Sequence, residues 1–101
     1  MIKHIVMFKL KQELSEQERE DIIQKSISIT SCFEKEIATV ISCKIVSNSS
    51  LAPVSNYDLA LLCEFEDIAG LDFYQQHPRH LEFGEFIVNV RDSRACIDFE
   101  V

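Results

Sequence analysis

The 101 residues are enough for one domain around one core, over residues 1–101. The chain is 47% hydrophobic and 27% charged, with two glycines and two prolines, which excludes collagen-like, low-complexity and linker-like chains. A net charge of −7 argues against nucleic acid and anionic membrane surfaces as partners, because an acidic surface repels their phosphates.

The opening MIKHIVMFKL is too short and too broken by charge for a signal peptide or a membrane span, so a soluble, cytoplasmic protein is expected. Ile2–Leu10 alternates strictly, with Ile2, His4, Val6, Phe8 and Leu10 on one face and Lys3, Ile5, Met7 and Lys9 on the other. That is the pattern of a strand. Ser15 and Glu18 form a capping box, so a helix should run over about 16–33. Its predicted buried stripe is Ile22, Ile23, Ile27, Thr30 and Phe33. The β-branched run Ala38–Val46 predicts a second strand. Ser47–Asn56 is a Ser- and Asn-rich loop. Tyr57–Phe65 predicts a third strand, apolar enough to be covered on both sides.

Asp67 caps a short predicted helix, Ile68 to about Gln76. Pro78 cannot continue it but suits the first turn of another, over about 79–90. His77 precedes the proline, so its backbone is expected to be extended, and His77 and Pro78 are read as structural parts of that junction. Ala95–Val101 alternates again and predicts the last strand. The order β-α-β-β-α-β, with the second helix broken at Pro78, is the ferredoxin-like α+β arrangement. It consists of a four-stranded antiparallel sheet with helices on one face.

Two consequences follow from this order. Helices on one face leave Ile5, Met7, Ala60 and Leu62 as an uncovered apolar patch, which a second copy of the chain would cover. A homodimer through the sheet face, a dimeric α+β barrel, is therefore expected. Cys32, Cys43, Cys63 and Cys96 show no CxxC spacing, so they are expected to be buried, reduced thiols.

The opening IKHIVMFKLK, the motif Tyr74-x-x-His77-Pro78-x-His80-x-x-Phe83 and a closing strand carrying Asp98 together resemble the stress-responsive α/β-barrel (Dabb) family. The resemblance spans nearly the whole chain. It implies a dimeric barrel and, by likeness to the plant polyketide cyclases of the family, aldol-type ring closure without metal or organic cofactor. It also implies Tyr74 and His80 as the catalytic pair, with His4, Val6 and Phe8 lining a pocket between sheet and helices. Ile23 and Ile27 are the expected helical wall of that pocket. Leu59 stands where those cyclases carry a further histidine, and Arg91 where they carry an aromatic residue.

The residue types fit such chemistry. An imidazole titrates near neutral pH and can take a proton from carbon beside a carbonyl, and a phenol can hydrogen-bond the developing enolate. His77, His80 and His4 could in principle gather at a metal, but the proline disturbs the spacing, so no metal and no cofactor are expected. Asp98 is expected to pair with Arg94, or with Lys3 or Lys9. Two functional readings remain open at this level. One is a pocket for a small hydrophobic carbonyl compound with proton-transfer chemistry. The other is a non-catalytic, stress-associated binding or protective dimer.

Overall fold

Four strands form one antiparallel sheet in the order β2-β3-β1-β4 in the computed structural model, which describes all 101 residues. They are β1 (Ile2–Leu10), β2 (Ser42–Ser47), β3 (Leu59–Phe65) and β4 (Arg91–Glu100). Between them run α1 (Glu16–Thr30), α2 (Phe33–Glu36), α3 (Ile68–Gln76) and α4 (Pro78–Val88). This is the ferredoxin-like arrangement. The alternation of β1 and β3 explains why one face is the core: Ile2, Val6, Phe8 and Leu10 pack with Leu59, Leu61, Cys63 and Phe65, all buried. The opposite face carries Ile5 beside Leu62 and Ile97, and Met7 beside Ala60 and Ala95. No helix covers that face, and Ile97 is 57% exposed.

α1 starts where the capping box predicts. The Ser15 hydroxyl accepts from the Glu18 amide at 3.1 Å, and the Glu18 carboxylate accepts from the Ser15 amide at 3.0 Å. It stops three residues earlier than expected. Thr30 and Ser31 turn their hydroxyls back onto the carbonyls of Ser26 and Ser28, at 2.8 and 2.7 Å, and so compete for the last turn. Phe33 then enters the core from the separate turn α2. Ile22, Thr30 and Phe33 of the predicted stripe are buried and Ser26 joins them, whereas Ile23 is half-buried and Ile27 is 42% exposed.

Three strand starts also differ, β3 beginning at Leu59 rather than Tyr57. Residues 38–41 form a turn ahead of β2, with Ile37 and Val40 buried and the Thr39 hydroxyl donating to the Gly70 carbonyl at 2.8 Å. β4 begins four residues before Ala95, because the polar run from Arg91 pairs with the end of β1. The two share an irregular register there: Lys9 faces Ser93, but Leu10 faces Arg91, leaving Asp92 as the extra residue of a bulge.

Candidate functional site

The junction between α3 and α4 follows from its sequence. Asp67 caps α3 by accepting from the Gly70 amide at 2.8 Å. His77 ends α3 and starts α4 in extended conformation, as a residue before proline must, and its Nδ1 accepts from the Arg79 amide at 3.1 Å. That contact occupies Nδ1 of His77. Pro78 occupies the first helical position, where its missing N–H costs nothing.

The sharp turn folds His80 back over α3. Its ring lies 4.5 Å from the Tyr74 ring, and its Nδ1 is 3.1 Å from the Gln75 carbonyl oxygen. A carbonyl only accepts, so Nδ1 carries the proton and donates it. Nε2 of the neutral ring is then an unprotonated base. Burial depresses the basicity of His80, and His4 and Arg94 depress it further, against the opposing pull of the Gln75 carbonyl. His80 is thus held neutral below its ordinary range.

A second histidine faces the same space. The register sets His4 of β1 opposite Asp98 of β4, and the Asp98 carboxylate accepts from His4 Nδ1. Cys96 Sγ lies 3.7 Å from the same nitrogen. His4 is only 2% exposed, and no buried side-chain nitrogen or oxygen lacks a partner. Nε2 has no protein partner, so it is the ring atom that reaches the adjoining cavity. His4, Cys96 and Asp98 also form the group that could hold a metal, with ligand atoms within 4.8 Å of one another.

The cavity has a volume of about 310 Å³, at the small end for ligand sites. Val6, Phe8, Leu61, Phe83 and Ile87 make its apolar floor, with Phe8 and Phe83 in edge-to-face contact at 5.9 Å. His4, His80 and Gln75 supply the polar wall. Arg91, Arg94 and the exposed Val88 stand at the mouth, beside β4.

Several sequence expectations change here. Ile23 and Ile27 do not line this cavity. They lie on the other flank of α1, against the 48–54 loop and the β2 edge, because the α1 stripe is rotated toward Ile22, Ser26 and Thr30. Tyr74 is 0% exposed and does not line the cavity either. Its ring is the hub of an aromatic cluster with Phe33, Phe65, His4 and His80, and its hydroxyl oxygen faces the Cys63 thiol at 4.0 Å. Burial holds that phenol protonated far beyond its ordinary range. Asp98 pairs with His4 rather than with Arg94, Lys3 or Lys9; both lysines are on the outer face of β1. Cys96 is exposed rather than buried, because no helix covers β4. Arg94 was not marked by the sequence as a pocket residue, although it continues the inner-face alternation of Cys96 and Asp98, opposite Phe8.

The profile of the stress responsive A/B barrel domain family matches residues 2–101. The chain belongs to the Dabb family. Solved structures similar to this Dabb domain include a dimeric protein of unknown function and ferredoxin-like fold from Bacteroides fragilis, at 27% identity and TM-score 0.90, covering 99% of this chain and 95% of that one. A dimeric ferredoxin-like protein of unknown function from Jannaschia sp. CCS1 is 26% identical, with TM-score 0.81 over 99% of this chain and 98% of that one. A Dabb family protein from Mesorhizobium loti is 25% identical, with TM-score 0.75 over 99% and 95%. No curated protein matches the chain by sequence.

Proposed function

We propose that this Dabb domain binds a small carbonyl compound in the cavity beside β4 and removes a proton from the carbon next to the carbonyl, with His80 as the base. The observation that carries this reading is the state of His80. Its Nδ1 is fixed on the Gln75 carbonyl, its basicity is lowered, and it sits on an apolar cavity. A neutral imidazole with one free nitrogen can accept a proton near neutral pH. His4 stands as the second polar group of the site, oriented by Asp98; with Nδ1 donating to that carboxylate, its Nε2 is left as an acceptor for a hydroxyl of the bound compound. Tyr74 is a positioning residue in this reading, because its ring carries His80 while its hydroxyl faces Cys63.

The working unit we propose is a homodimer through the outer sheet face. Two observations support it: the uncovered apolar face around Ile5, Met7 and Ile97, and the description of solved relatives at 26–27% identity as dimeric.

Proton removal is tested by NMR in D₂O with a panel of small ketones and aldehydes. The expected result is enzyme-accelerated exchange of the hydrogens next to the carbonyl, lost in His80→Ala. Exchange at the solution rate with wild-type protein, for compounds that bind, would leave only a binding domain.

A further inference from the structure

We propose that the ligand of this cavity carries a carboxylate, seated between Arg91 and Arg94 at the mouth, with an apolar body on the Phe8–Phe83 floor. This deepens the reading above and rests on it for the carbonyl end of the molecule.

The argument begins with charge. The chain has 17 acidic residues against 10 basic ones, so carboxylates outnumber the cations that could pair with them. Of its arginines, Arg19 pairs with Asp58 at 3.2 Å, and Arg79 pairs with Glu36 at 3.0 Å and Glu82 at 3.3 Å. Arg91 and Arg94 have no carboxylate partner within 4.0 Å. Both line the same cavity, and no aspartate or glutamate lines it with them. In an acidic protein, the two unpaired guanidiniums converge on the one apolar cavity that holds two histidines.

The backbone is shaped to bring them together. Residues three apart on a regular strand point to opposite faces. Here the bulge at Asp92 inserts an extra residue, so Arg91 sits opposite Leu10 and Arg94 opposite Phe8. Leu10 and Phe8 share the inner face, and therefore so do the two arginines. Without the bulge, one of them would point to the outer face of the sheet.

A planar guanidinium matches a carboxylate through two parallel N–H donors, and two such groups bracket one anion. The floor is apolar, so the rest of the ligand is hydrocarbon. The volume of about 310 Å³ limits it to a small molecule. With His80 and His4 deeper in, the compound class is a small keto acid with an aliphatic or aromatic body.

The test measures binding by protein-detected NMR titration and thermal shift. The probes are phenylpyruvate and levulinate, each compared with its neutral methyl ester, and phenyl phosphate. The proteins are full-length wild type, Arg91→Gln, Arg94→Gln, Arg94→Lys and His80→Ala. Neither arginine has an ion pair to lose, so the glutamine variants should fold, and their spectra check this. We expect an acid to bind wild type roughly tenfold or more tighter than its ester, with each glutamine variant losing most of that preference. Affinity for the ester should be unchanged in those variants, and Arg94→Lys should recover part of the loss. Esters binding as well as acids, with both lost in His80→Ala, would overturn the carboxylate while leaving the cavity reading intact. Acids binding wild type and His80→Ala alike, but not the arginine variants, would support the carboxylate seat and remove His80 from the site. Tighter binding of phenyl phosphate than of either acid, or no binding of any probe at millimolar concentration, would overturn the proposal.

Discussion

The His80 and Tyr74 rings pack at 4.5 Å with an interplanar angle of 55°, and only His80 of the two reaches the cavity. The helix break at Pro78 produces this contact. It bends the chain between two residues six positions apart, so that the second lies on the first. The phenol is left pointing into the core.

Tyr74→Phe should therefore be mild. It keeps the ring under His80 and gives up one weak contact to Cys63, which is worth about 1 kcal/mol or less. Proton exchange should stay within about threefold of wild type, an estimate that follows from the hydroxyl lying outside the cavity. Tyr74→Ala should destabilise by about 3–5 kcal/mol in urea titration, because it empties the centre of the aromatic cluster. A drop of a hundredfold or more in Tyr74→Phe, with stability intact, would return the hydroxyl to the chemistry.

The depressed basicity of His80 predicts a pH signature. Above pH 6.5, its ordinary value, the folded and unfolded states are both neutral and His80 contributes nothing to pH dependence. As pH falls through 6.5, the unfolded chain takes up a proton that the folded protein does not, so stability decreases. The loss levels off below the folded value. His80→Gln should lack this component, so the wild-type-minus-variant difference in denaturation midpoint should fall between pH 7 and pH 5. The same depression predicts that proton exchange keeps its rate to a pH below 6.5 before the base protonates. A difference that stays flat over this range would contradict a half-buried, neutral His80.

Asp98→Asn separates orientation from charge at His4. The amide can keep a hydrogen bond to the ring, but it no longer demands a donor at Nδ1. Nitrogen chemical shifts should show His4 losing its preference for the Nδ1–H tautomer, with stability lower by about 1–3 kcal/mol. An unchanged tautomer would mean that the cavity, not Asp98, sets the ring.

Gly84 lines the cavity, and a Cβ added there meets nothing within 4 Å. Gly84→Ala should raise stability by about 0.5–1 kcal/mol, since glycine is the weaker helix former and no clash opposes the change. Gly84→Leu should remain folded while its larger side chain occupies the cavity and abolishes ligand binding. Retained binding in Gly84→Leu, measured by the same titration, would put the ligand elsewhere.

The outer sheet face predicts the assembly. Wild type should sediment as a dimer at micromolar concentration, and Ile97→Lys or Met7→Glu should give a folded monomer, because each sets a charge within the apolar patch. A wild-type monomer would leave Ile5, Met7 and Ile97 without a cover and would refute the dimer.

Local signals in the sequence were sufficient for the order of elements. Alternation in β1 and β3, the Ser15–Glu18 box, the Asp67 cap and the pre-proline His77 each act over a few residues, so each can be read without knowing its neighbours. They also placed His4, Val6, Phe8 and His80 in the right elements. Long-range pairing decided the rest. The polar run Arg91–Arg94 has no strand periodicity of its own, and β1 recruits it into the sheet. Its bulge brings Arg91 onto the inner face that Arg94 already occupies, and the register sets Asp98 against His4, a partner 94 positions away in the chain. The rotation of α1 that removes Ile23 and Ile27 from the site depends on which face packs against α4 and β2, and small hydroxyl residues won that face over larger apolar ones. Hydrophobic pattern determined which elements form. Strand register and helix rotation, set by packing across the whole chain, determined which side chains meet in the cavity.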